Sequence, residues 1–89
     1  MTEISFASSF KRAYKRKIGN DPQRKARFLS KLAAFQNDPF DPQLRTHKLS
    51  GRLSHLWSFS VEYDLRIIFY FASKDKTVLV DIGTHDEVY

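Results

Sequence analysis

The chain is expected to fold as an α+β domain, with an N-terminal helical hairpin packed on a small, mainly antiparallel β-sheet. Three observations lead there. Residues 8–36 place apolar side chains at helical spacing, with one break at Gly19-Asn20-Asp21-Pro22. Residues 56–83 hold three runs, LWSFSVEY, LRIIFYFAS and TVLVDIG, rich in aromatic and β-branched residues. The links between these runs, Tyr63-Asp64 and Ser73 to Lys76, are short, and short links join antiparallel neighbours.

Taken in order, residues 2–6, TEISF, alternate and predict a short first strand. Ser8 or Ser9 is placed to cap a helix running to about Ile18. Phe10, Ala13/Tyr14 and Ile18 form its apolar stripe, while Lys11, Arg12, Lys15 and Arg16 face away. Gly19-Asn20 ends it, because both residues tolerate the left-handed conformation. Asp21 as N-cap and Pro22 at the first helical position start a second helix, with Phe28, Leu29, Leu32, Ala33 and Phe35 as its apolar face. The segment NDPFDPQ, 37–43, stops it with two prolines. Residues 44–54, LRTHKLSGRLS, read as irregular, with Gly51 as a turn and His47 in a loop. In the middle strand Leu65, Ile67, Phe69 and Phe71 point one way and Arg66, Ile68 and Tyr70 the other. The helices cover one face of the sheet; the other is expected to be left for a ligand.

Eighty-nine residues make one domain, 1–89. A chain of this size buries roughly 60–65% of its unfolded surface, so the core is small. The 42% hydrophobic content is ample for a globular fold and argues against disorder. There is no cysteine, which excludes a disulfide scaffold and a thiolate metal site. The first residues, MTEISFASSFKRAYKRK, lack the apolar core of a signal peptide, and the longest apolar run, IIFYFA, is far short of the roughly 20 residues of a membrane span. The chain therefore reads as cytoplasmic, with no membrane contact. The net charge is +5, and residues 11–31 hold nine Lys and Arg against one acid, Asp21. That excess predicts attraction to a polyanion or an acidic partner, although a solvated helix face gives the same pattern.

Four residues have side chains suited to cutting RNA without a metal. Arg66 lies on a strand expected to be central, where a charge needs a reason. Either its planar fork grips a phosphate, or it pairs with Glu62 or Asp64. His47 and His85 carry imidazoles, which exchange protons near neutral pH; each is equally readable as an ordinary surface histidine. Tyr89 suits stacking on a base or pinning the chain end. His55, at a strand start, and Trp57 read as structural. No HExxH-like or i,i+4 histidine spacing points to a metal, and no cofactor is expected. Attack of a ribose 2′-OH on the adjacent phosphate needs a base, an acid and a cation for the developing charge, and this set supplies all three. Lys11, Arg12, Lys15, Arg16, Lys48 and Arg52 are the cations expected to meet the RNA backbone.

The order of a basic helical hairpin, then HKLSG, EYDLRIIFYF and VLVDIGTHDEVY, resembles the RelE/ParE superfamily of bacterial toxins, and within it the YafQ-like branch. The resemblance covers nearly the whole chain and is most specific in DLRIIF and IGTHDEVY. It implies a type II toxin-antitoxin toxin that enters the ribosome and cleaves mRNA without a metal. It also implies a co-expressed antitoxin that wraps the toxin in a hetero-oligomeric complex. By that likeness His47 and His85 serve in proton transfer, Asp64 orients a partner, Arg66 stabilises phosphate charge and Tyr89 holds the substrate base. Three positions depart from the branch: Ser60 stands where a histidine is usual, Leu65 where a tryptophan is, and Asp81 where a basic residue is. Those departures leave a second expectation, a ParE-like gyrase inhibitor or an inactive binding module. The His85/Tyr89 pair is the feature that favours the nuclease.

Overall fold

The structure, a computed structural model, describes residues 2–51 and 55–84. A five-stranded sheet carries two helices, as the sequence predicts. The elements are β1 (Glu3–Phe6), α1 (Ser8–Lys17), α2 (Pro22–Asn37), a 3-10 turn (Pro42–Leu44), β2 (His47–Lys48), β3 (Trp57–Glu62), β4 (Leu65–Ser73) and β5 (Lys76–Gly83). The strand order is β1-β5-β4-β3-β2, so β4 and its Arg66 are central. All pairings are antiparallel except β1 with β5, which is parallel.

Local chemistry accounts for the helix ends, with one correction. Asp21 caps α2, its Oδ1 accepting from the N–H groups of Gln23 and Arg24 at 3.0 and 3.1 Å, with Pro22 beside it. Gly19, at φ +51°, follows α1 as expected of a left-handed terminator. The start of α1 differs: Ala7 is its N-cap and no side chain caps it. The Ala7 N–H still bonds to Leu79 O at 2.9 Å, so the helix begins directly off the sheet. The Ser9 hydroxyl goes instead to the carbonyl of Val80.

The core sits between the helices and one face of the sheet. Phe35 lies at its centre, stacked on Phe59 with ring centroids 4.7 Å apart and edge-on to Phe69 at 4.9 Å. Phe10 and Tyr14 of α1 meet Phe28 of α2 at 5.9 and 5.5 Å, which joins the two helices. Leu65, Ile67, Phe69 and Phe71 all face this core, as their alternation requires. Trp57 packs edge-on against Phe71 and Phe40, in the structural role expected of it. The face of α2 is narrower than expected. Phe28 and Phe35 are buried and Leu32 packs beside them, but Leu29 is 51% exposed and Ala33 faces solvent. A helix resting on a curved sheet buries a stripe at i, i+4 and i+7, and Leu29 lies off it.

Bulges then re-aim single side chains. The β3–β4 register passes from Ser60↔Arg66 to Glu62↔Leu65, which leaves Val61 extra. Glu62 is thereby turned to the helix side, where Arg24 and Arg27 reach its Oε1 at 3.3 and 3.5 Å. A second bulge leaves Val80 extra in β5, between the pairs Ile68↔Asp81 and Phe69↔Leu79.

Candidate functional site

The face opposite the core carries a two-row pattern. Cross-strand partners point to the same side of a sheet, so His47, Ser58, Ile68 and Asp81 form one row and Ser60, Arg66 and Gly83 the next. His47 and Arg66 therefore share a face. One strand and two residues separate them, which puts their Cα atoms about 12 Å apart at ~4.8 Å per strand and ~3.4 Å per residue. His47 is not in a loop: it pairs with Ser58 as the first residue of β2. Its short strand is hard to read from sequence because two residues carry no periodicity.

This face is less open than expected. Ser58 is fully buried, Arg66 and Ile68 are each 7% exposed and Ser60 is 8% exposed. A cleft of about 430 Å³ opens here, lined by the apolar side chains of Leu49, Leu56 and Ile68. Arg16 and Lys17 of α1 and Asp81 of β5 also line it. The Asp81 carboxylate is also tied locally, with Oδ1 accepting from the Ile82 N–H at 2.8 Å.

The His47 ring is oriented by the backbone. Its Nδ1 lies 2.9 Å from the carbonyl oxygen of Arg45. A carbonyl only accepts, so Nδ1 carries the hydrogen and Nε2 is the basic atom of the neutral ring. Arg45 itself sits in the left-handed region, at φ 52° and ψ 40°, and is the only non-glycine with positive φ among the described residues. Such a conformation in an arginine costs about 1–2 kcal/mol and marks a place where the surroundings hold it.

Arg66 donates from Nε to the carbonyl of Tyr63 at 3.3 Å. The sequence left open a pair with Glu62, but the bulge at Val61 delivers Glu62 to Arg24 and Arg27 instead. Asp64 is exposed in the turn between β3 and β4. His55 is exposed in the turn before β3 rather than within the strand.

The expected RNA-contacting cations do not form one surface. Ser9 and Arg16 both line the cleft, and Arg12 lies between them on the same helical stripe. Lys11 and Lys15 fall on the outer side of α1 and are exposed. Lys48 pairs opposite Trp57, on the reverse side of the sheet from His47. Among the described residues no group of His, Asp and Glu is arranged to hold a metal ion. No helix among them is long and apolar enough to cross a membrane. Arg52, His85 and Tyr89 lie outside the described residues. Sequence reasoning missed Arg45 and Lys17, which carry no motif and gain meaning only from their neighbours.

A five-stranded sheet of this order carrying two helices is a fold shared with bacterial toxins of known structure. A copper-bound mutant toxin from Helicobacter pylori superposes with a TM-score of 0.74 at 20% identity, covering 100% of both chains. YafQ from E. coli strain BL21(DE3) gives 0.69 at 16% identity, over 100% of this chain and 99% of that one. The YoeB-YefM complex from Staphylococcus aureus gives 0.74 at 14% identity, over 96% and 98%. Comparison with curated proteins by sequence yields no match. Residues 2–89 match the YafQ family of bacterial toxins of type II toxin-antitoxin systems, and the chain belongs to that family.

Proposed function

We propose that this toxin is a ribosome-dependent mRNA endonuclease that cuts without a metal, in the cytoplasm, and is neutralised by a cognate antitoxin in a hetero-oligomeric complex. The observation that carries the reading is the shared face of His47 and Arg66, with the His47 ring held by Arg45 O so that Nε2 is its basic atom. In the proposed reaction His47 Nε2 takes the proton of the ribose 2′-OH, whose oxygen bonds to phosphorus. The P–O5′ bond breaks, and His85 protonates the departing 5′ oxygen. The products are a 2′,3′-cyclic phosphate and a 5′-hydroxyl. Arg66 offsets the charge on the phosphorane oxygens, Tyr89 holds the substrate base and Asp64 orients a partner group. The apolar lining of the cleft suits a base, and Arg16 and Lys17 suit the backbone beside it. The antitoxin follows from family membership and from the likeness to YoeB, which is seen in complex with YefM.

One feature favours a second reading. Asp81 places a carboxylate in the cleft where a phosphate would approach, which suits a toxin that binds a protein such as gyrase. Primer extension on mRNA after induction separates the two. Discrete cuts that vanish in His85→Ala and Arg66→Ala support the nuclease. Intact mRNA with DNA damage and filamentation supports the gyrase poison and would falsify the nuclease.

A further inference from the structure

β2 covers only Trp57 and Ser58, so among the described residues no strand lies beside the outer edge of β3 from Ser60 to Glu62. A second pocket, of about 240 Å³, opens there. Three cations from three different elements line it: Lys31 of α2, Arg45 after the 3-10 turn, and Arg66 of β4. Glu62, the one acid in its wall among the described residues, is already held by Arg24 and Arg27. Its charge is thus offset from behind, and the pocket keeps a net positive lining. Lys31 is steadied by Gln43 Oε1 at 3.2 Å, and Gln43 donates in turn to Asp41 Oδ2 at 3.2 Å. Arg45 is kept in a backbone conformation that a glycine would adopt more readily, and its side chain lines this pocket while its carbonyl orients His47. Arg66 belongs to both the catalytic face and this pocket.

We infer that the pocket formed by Lys31, Arg45 and Arg66 binds a backbone phosphate of the RNA, the neighbour of the phosphate being cut. This rests on the proposed function and extends it, because it assigns a substrate subsite to Lys31 and Arg45. A planar guanidinium pair with an ammonium group nearby matches tetrahedral phosphate oxygens. Arg45 joins the subsite to His47, because it lines the pocket and its carbonyl lies 2.9 Å from the His47 ring.

The test uses the full chain and two variants. Arg45→Gly removes the guanidinium where glycine accepts the same backbone, so its Tm is expected to equal or exceed the parent's; Lys31→Gln keeps a helix-forming side chain. Inorganic phosphate is followed by amide shifts at Arg45, Glu62 and Arg66. A 2′-O-methyl oligoribonucleotide, which cannot be cut, is followed by fluorescence anisotropy over a salt series. The parent is expected to show phosphate shifts that both variants lose. RNA affinity is expected to fall about tenfold in Arg45→Gly, with the slope of log K against log salt reduced by about 0.7. No phosphate shift in the parent overturns the pocket even where RNA is cleaved, and so does unchanged RNA affinity in both variants. Phosphate shifts in a parent that binds no RNA overturn the RNA assignment of the pocket, while the proposed function itself stands or falls on the primer-extension result. Weakened antitoxin binding with unaltered RNA affinity overturns it in favour of an acidic side chain of the partner.

Discussion

His47 shows how much one hydrogen bond decides. The Arg45 carbonyl at 2.9 Å selects the tautomer, and with it the atom that takes a proton. In the proposed reaction His47→Gln removes the general base, so cleavage of ribosome-bound mRNA is expected to fall about 10²- to 10⁴-fold, read in single-turnover assays. A rate within threefold of the parent's would remove His47 from the mechanism. Asp81 acts in the opposite sense. Asp81→Asn keeps an Oδ1 for the Ile82 N–H, now at 2.8 Å, and removes a negative charge from the cleft. RNA affinity at low salt is expected to rise several-fold, on the order of 1 kcal/mol, and the gain should shrink as salt is added. Both histidine and arginine were recognisable in the sequence as chemically able residues. The Arg45–His47 contact was not, because a left-handed arginine has no sequence signature.

At the scale of elements, caps and turns were legible because their causes are local. Asp21→Ala should lower stability by about 1 kcal/mol through loss of the N-cap of α2. Gly19→Ala should cost about 1–2 kcal/mol: its φ is +51° and an added Cβ would stand 2.9 Å from Lys15 O. For a domain of this size, each 1 kcal/mol corresponds to roughly 4–8 °C in Tm, so thermal melts resolve both changes. Leu29 marks the limit of the same reasoning. Its apolar character and spacing assign it to the buried face, yet it is 51% exposed, so Leu29→Lys is expected to change stability by less than about 0.5 kcal/mol. A larger loss would mean that Leu29 is covered by something in solution. The bulge at Val61 has no sequence marker, and it decides where Glu62 points and hence who pairs with it.

Across the whole molecule, stability rests on one aromatic cluster. Phe35 is fully buried among Phe59 and Phe69. Phe35→Ala should cost about 3–5 kcal/mol, against a total of roughly 5–10 kcal/mol for a domain this small, and leave a substantial unfolded population at 37 °C. Circular dichroism melts would reveal it. The +5 net charge acts at the same scale. It speeds encounter with any polyanion, and association with an acidic partner or with the proposed RNA substrate is expected to weaken with ionic strength.

Hydrophobic spacing and short links in the sequence determined that this chain builds two helices and a sheet, that β3, β4 and β5 are successive neighbours, and which side of β4 enters the core. These follow from spacing within a few residues, which a sequence carries directly. Tertiary structure alone decided that β1 runs parallel to β5, that His47 joins the sheet, that the face opposite the core is largely buried, and that Lys31, Arg45 and Arg66 meet at one edge. Those outcomes depend on register, bulges and packing between segments far apart in the chain, where no local pattern reaches.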